Sequence, residues 1–217
     1  KDRVISTVDD EARHGHKSKS RLFDGFKAHI RSDPDGEFID DLIVTPANVA
    51  DGDVLTDLLD DYDGVDDKPT IYADAGYGAA DLLEDLDDAG FDYVIKVPSP
   101  TRRAGRWSKG DFDVDTDNNT VTCPAAVTVD IAYRPDGSGI AAFGDACGGC
   151  DQADQCPTSA GGRTVAIHRR EDILQTERHK QTTDPAWAAD YTATRPKVER
   201  KLAHLIRKPW GGRQARR

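Results

Sequence analysis

The chain has no methionine, six glutamates against thirty-four aspartates, and eleven lysines against eighteen arginines. It also has no apolar run near the ~20 residues that span a bilayer. That absence speaks against a helical membrane protein. The first residues lack the apolar stretch of a secretory signal, so the expected location is the cytoplasm. A methionine-free chain opening on Lys1-Asp2-Arg3-Val4-Ile5 is expected to be a segment of a longer polypeptide. Aromatic residues are scarce at 7%. The apolar share of 37% over 217 residues still suffices for one substantial domain with an appendage.

The charge is unevenly placed. A net of −11 divides into −15 over residues 1–100, −4 over 101–194 and +8 over 195–217. A basic end on an acidic protein suits one face that meets a polyanion. Short, hydrated aspartates in place of lysine suit a cytoplasm of very high salt, as in halophilic archaea. A GC-rich genome would enrich the same residues by codon usage, and the two origins stay open.

Residues 23–30 and 38–44 read as strands of a hairpin about the turn at Asp33-Pro34-Asp35-Gly36. Apolar positions 54, 55, 58, 59 and 62 predict a helix over 53–62. A strand over 69–73, a helix over 79–89 and a strand over 91–97 follow, giving an α/β layered part. Residues 112–122 read as a second hairpin within a β-rich insert. A helix is expected from about Glu171, and another over 196–207 with Pro196 in its first turn. The expected division is 1–100 as the first part of the core, 101–165 as the insert, and 166–217 as the C-terminal helical part.

All four cysteines fall in the insert: Cys123, Cys147, Cys150 and Cys156. The Cys147-Gly148-Gly149-Cys150 step is a knuckle that lets two thiolates reach one ion. Four thiolates match the closed tetrahedral demand of structural Zn²⁺, the expected role. Disulfides, a redox pair, unmetallated thiols and an iron–sulfur cluster are the competing readings.

Two acids stand apart. Asp74 ends a predicted strand before Ala75-Gly76-Tyr77-Gly78, a placement that points a carboxylate into the mouth of an α/β sheet. Glu199 is the lone acid of the basic helix. Taken singly, each also fits an ordinary turn or helix-start role.

Five strings run in one order: 6–18 (STVDDEARHGHKS), 23–29 (FDGFKAH), 44–48 (VTPAN) with Asp51 or Asp53, 73–78 (ADAGYG) and 195–201 (RPKVERK). In this order, and with the cysteine insert, the chain resembles the DDE transposases of prokaryotic insertion sequences, in the branch with a Cys-rich insert before the final Glu. The resemblance implies a ribonuclease H-like mixed sheet flanked by helices, with a small β-rich insert that carries the four cysteines. It implies DNA cleavage and strand transfer with two Mg²⁺ or Mn²⁺ ions. Asp74 matches the family's second catalytic Asp and Glu199 its catalytic Glu, both as metal ligands. The first Asp is expected upstream of Lys1, which would leave this segment inactive alone. Asp9 is the one substitute in roughly the right place, though its setting reads as a polar loop.

The implied partner is DNA, at transposon ends and target, bound by a homodimer in the active complex. Arg195, Lys197, Arg200, Lys201, Arg207, Lys208 and Arg213 would hold its phosphates. Trp210 reads equally as a base-stacking surface or a packed core residue. Two other readings remain: an inactive zinc-stapled DNA-binding remnant, and a nuclease of the same fold that cuts without joining.

Overall fold

Side chains alternate between exposed and inward along β2 (Arg21–Ser32), the longest strand. Its first half pairs antiparallel with β1 (Arg13–Ser18), in register Arg13↔Gly25. Its second half pairs antiparallel with β3 (Ile39–Pro46), in register Lys27↔Thr45. The computed structural model describes residues 5–205 except 19, 37, 103, 157, 158 and 160. Arg207, Lys208, Trp210 and Arg213 therefore lie outside the described residues. The predicted hairpin is found, and Asp33 fixes its turn by accepting from the amides of Asp35 and Gly36, both at 2.9 Å. β1 was not expected. It forms from a polar sequence because the edge of β2 supplies its backbone partners, an interaction that local pattern does not announce.

The inward face of this sheet holds α1 (Leu55–Leu59). Arg31 donates to the Leu58 carbonyl and to Asp61 at 2.7 Å, and its guanidinium lies 5.1 Å from the centre of the Tyr62 ring. The expected helix over 53–62 is only five residues of α-helix, with 3₁₀ turns at Gly52–Val54 and Asp60–Tyr62. Asp57, Asp60 and Asp61 repel one another at helical spacing, and Asp60 and Asp61 oppose the macrodipole at its C-terminal end, so regular geometry gives way to tighter turns.

β4 (Ile71–Ala73), α2 (Ala80–Asp88) and β5 (Tyr93–Ile95) form a parallel β-α-β unit in register Ile71↔Tyr93. Leu82, Leu83 and Leu86 of α2 pack with Leu55, Leu59, Phe91, Ile95 and Val97 as its core. Gly78 has no room for a side chain: an added Cβ would lie 2.2 Å from the Lys96 carbonyl oxygen.

The next five strands are a meander: β6 (Asp113–Asp115), β7 (Thr120–Thr122), β8 (Thr128–Tyr133), β9 (Gly139–Ala142) and β10 (Thr164–Ile167). They enclose a separate apolar cluster centred on Val121, Ala141 and Val165. Asp115 and Asp136 fasten their turns by accepting from Asn118 and Ser138, which holds both carboxyls below the usual range.

α3 (Glu171–Thr183) and α4 (Pro185–Leu205) complete the described fold. Buried Glu171 is paired with Lys109 and, at 3.4 Å, with Arg178, while Arg169 reaches Asp81 at 2.8 Å and Glu84 at 2.6 Å. These contacts tie the meander's exit to α2. The helix expected to begin at Pro196 instead begins at Pro185, with Pro196 inside it. Asp184 supplies the start, its Oδ1 accepting from the amides of Ala186 at 2.8 Å and Trp187 at 3.2 Å.

The architecture is mixed α/β, consistent with a ribonuclease H-like fold. The described strands form a three-stranded, a two-stranded and a five-stranded sheet, where the resemblance implied one mixed core sheet. Among the described residues, no helix is long and apolar enough to cross a membrane.

Candidate acidic active site

Asp74 directly follows β4. Its Oδ1 accepts from the Gly76 amide at 2.8 Å, and its carbonyl accepts from Tyr77 at 3.0 Å, so the carboxylate is held in a tight turn. A Cβ on Gly76 would lie 2.9 Å from Asp74 Oδ1 and 3.4 Å from Asp51 Oδ2. Glycine here lets two carboxylates approach one another. Asp51 comes from the turn after β3, where Lys27 Nζ meets its Oδ1 at 2.9 Å and the Val49 carbonyl at 2.8 Å.

α4 brings the third acid. The Arg195 guanidinium reaches Asp74 Oδ2 at 3.5 Å through Nη2 and Glu199 Oε1 at 3.1 Å through Nε. Asp74 and Glu199, far apart in sequence, thus share one cation. Both are about half exposed, while Arg195 is mostly covered.

Two tyrosines feel this centre. Burial, then Asp51 and Asp74, push the Tyr77 hydroxyl up to about 12, against an opposing effect from Arg195. Tyr191 is raised mainly by burial; Asp74 and Glu199 add to the rise and Arg195 opposes it. Its ring stacks on Trp187 at 5.2 Å, and Lys96 Nζ lies 4.8 Å from its centre.

The sequence pointed to Asp74 and Glu199, and the structure brings them together. It missed Lys27, Tyr77 and Tyr191, and it quoted Asp51 without giving it a role. Asp51 is one aspartate among many, and only the approach past Gly76 distinguishes it. Asp9 is exposed, its Oδ1 accepting from the amides of Glu11 and Ala12 within its own turn.

Of the expected phosphate contacts, Arg195 faces carboxylates and Lys197 is paired with Asp35 at 2.8 Å. Arg200 is exposed and Lys201 half-buried on the same helix.

The carboxylates are hard oxygen donors of the kind Mg²⁺ and Mn²⁺ take. Among the described residues, however, no group of three or more His, Cys, Asp or Glu is arranged to hold a metal ion. That holds for the cysteines too. All four are free thiols lining one cavity of about 30 Å³ beside Trp107, Phe112 and Phe143. Burial pushes the Cys156 thiol up, the other three cysteines add to the rise, and Arg163 opposes it. The Arg163 amide donates to Cys147 Sγ at 3.3 Å. The Trp107 indole N–H, buried at the same cavity, has no hydrogen-bond partner among the described residues.

A family model described as the transposase DDE domain matches residues 3–217. No curated protein and no solved structure matches the chain.

Proposed function

The chain belongs to the DDE transposase family, and we propose that Asp74 and Glu199 are its carboxylates for divalent-cation-dependent cleavage and joining of DNA strands. The observation that carries this reading is the single Arg195 guanidinium shared by the two acids. Carboxylates drawn to one cation despite their repulsion suit a centre built for positive charge. Divalent cations, when bound, supply charge neutralisation at the attacking and leaving oxygens of an in-line phosphoryl displacement. Asp74, fixed by the Gly76 amide, and Glu199, fixed on α4, would be their ligands. Arg200 and Lys201, with Arg207, Lys208 and Arg213, would hold the phosphates on either side. The substrates are transposon ends and target DNA, handled in the cytoplasm by a homodimer.

The four cysteines belong to the same proposal as a structural Zn²⁺ site. Their common cavity supports it, as does the Trp107 N–H that a thiolate could accept.

The test is Glu199→Gln in the intact transposase, read by Mg²⁺-dependent nicking of supercoiled plasmid. We expect a loss of at least ~10³-fold in nicking, the scale of losing a group that acts in the transition state. DNA affinity should stay within about twofold, because the variant keeps the shape of α4 and removes only charge. Equal loss of binding and nicking would make Glu199 a structural residue and overturn the reading.

A further inference from the structure

Arg195 reads in sequence as a phosphate contact, yet its guanidinium faces two carboxylates. The oxygens matter. Asp74 Oδ1 is engaged by the Gly76 amide; among the described residues Oδ2 has no backbone donor, and Arg195 reaches that one. On Glu199 it reaches Oε1. A guanidinium set between two carboxylates neutralises them as an ion would, through the same lone pairs. The pair sits where Lys27 already balances Asp51. Three carboxylates set against two side-chain cations leave the centre one negative charge in excess.

We propose that Arg195 is the resident counter-ion of the acidic pair: it competes with the divalent cation for Asp74 and Glu199, and cation loading releases its guanidinium to a DNA phosphate. This rests on reading Asp74 and Glu199 as the cation's ligands. Competition follows because Asp74 Oδ2 and Glu199 Oε1 cannot be close to a guanidinium and to a metal ion without like charges meeting. Release follows because Arg195 then has no carboxylate partner, and its planar fork matches phosphate oxygens. The coupling is reciprocal: cation raises DNA affinity, and DNA raises cation affinity by the same factor.

The experiment is Mn²⁺ titration by calorimetry of the chain without DNA, as wild type, Arg195→Gln, Arg195→Lys and Asp74→Asn. Arg195→Gln should bind Mn²⁺ at least ~5-fold tighter than wild type, the low end of measured coupling between sites. Arg195→Lys should fall between them, since an ammonium keeps the charge but cannot fork across both acids. It also serves as the test if the glutamine variant folds poorly. Mn²⁺ should strengthen DNA binding by wild type and not by Arg195→Gln, a difference that a purely structural arginine would not produce. Unchanged or weaker Mn²⁺ binding in both arginine variants overturns the counter-ion role. Mn²⁺ binding that is absent throughout, or that survives Asp74→Asn undiminished, overturns instead the reading of the acids as ligands.

Discussion

The acidic centre and the cysteine cavity each gather side chains of a kind that metal ions take, and they are built in opposite ways. The acids come from the turn after β3, the end of β4 and the middle of α4, and they meet half exposed beside Arg195 and Lys27. The thiols come from one β-rich stretch and line a small cavity with aromatic walls, with Arg163 opposing the rise of the Cys156 thiol. Carboxylates near water can be paired with the protein's own cations. Burial among apolar walls disfavours the charged thiolate, and the Cys156 thiol is pushed up for that reason. The comparison teaches that the first centre is already balanced by side-chain cations, whereas the second is closed by apolar packing around its sulfurs.

The largest expected effect would break that comparison if it failed. Cys147→Ser with Cys150→Ser should reduce zinc from about one per chain to none, by elemental analysis. It should also lower the melting transition of the β-rich part by more than ~10 °C, because zinc binding free energy becomes folding free energy. Asp74→Asn should leave that transition within ~1 °C, because its partners Gly76 and Arg195 lie outside the β-rich part. Equal shifts in both variants would mean that the centres are not independent. Wild-type chain without zinc would remove the staple altogether.

A middle-sized effect separates the regions by pH. Burial and nearby acids raise Tyr77 to about 12. Its stabilising contribution is therefore whole below pH ~10, where an unfolded tyrosine ionises, and is lost as pH rises through 12. In the β-rich part, hydrogen bonds from Ser108, Asn118 and Ser138 hold Asp111, Asp115 and Asp136 below the usual carboxylate range. Their contribution is present above pH ~4 and is lost as pH falls through the lowered values. Single-tryptophan variants can read the two sides: Trp107 beside the cysteines should change first in acid, and Trp187 on α4 first in alkali. Tyr77→Phe should move the alkaline midpoint upward. Simultaneous changes at both tryptophans would erase the distinction.

The same contrast governs what could be seen in sequence. The β2–β3 hairpin was legible because its alternation and its Asp-Pro-Asp-Gly turn are local signals. The turn at Asp74 was legible because glycines follow it directly, and the cysteine cluster because three of its four members fall within ten residues. β1 was hidden, since its pairing depends on β2 and not on its own polar residues. Asp51 and Lys27 were hidden because charged side chains meet there across separate elements. The start of α4 was hidden for a different reason. The apolar positions at 198, 202, 205 and 206 drew attention to Pro196, while residues 185–195 carry little hydrophobic periodicity.

That hidden start yields the smallest expected effect and the finest test of independence. Asp184 accepts two amide hydrogen bonds at the beginning of the helix that carries Arg195 and Glu199. Asp184→Ala leaves those donors to water and should cost about 1 kcal/mol, within the usual range for a lost N-cap. In a chain of this length that is a fall of about 2–4 °C in melting temperature. Because Pro185 still presets the first turn, α4 should fray at its beginning without shifting register, so Arg195 keeps both acids within reach. Zinc content should not change, since Asp184 does not line the cysteine cavity. A zinc loss in Asp184→Ala would show that the helix start supports the cysteine cavity as well, and that the two centres share one cooperative unit.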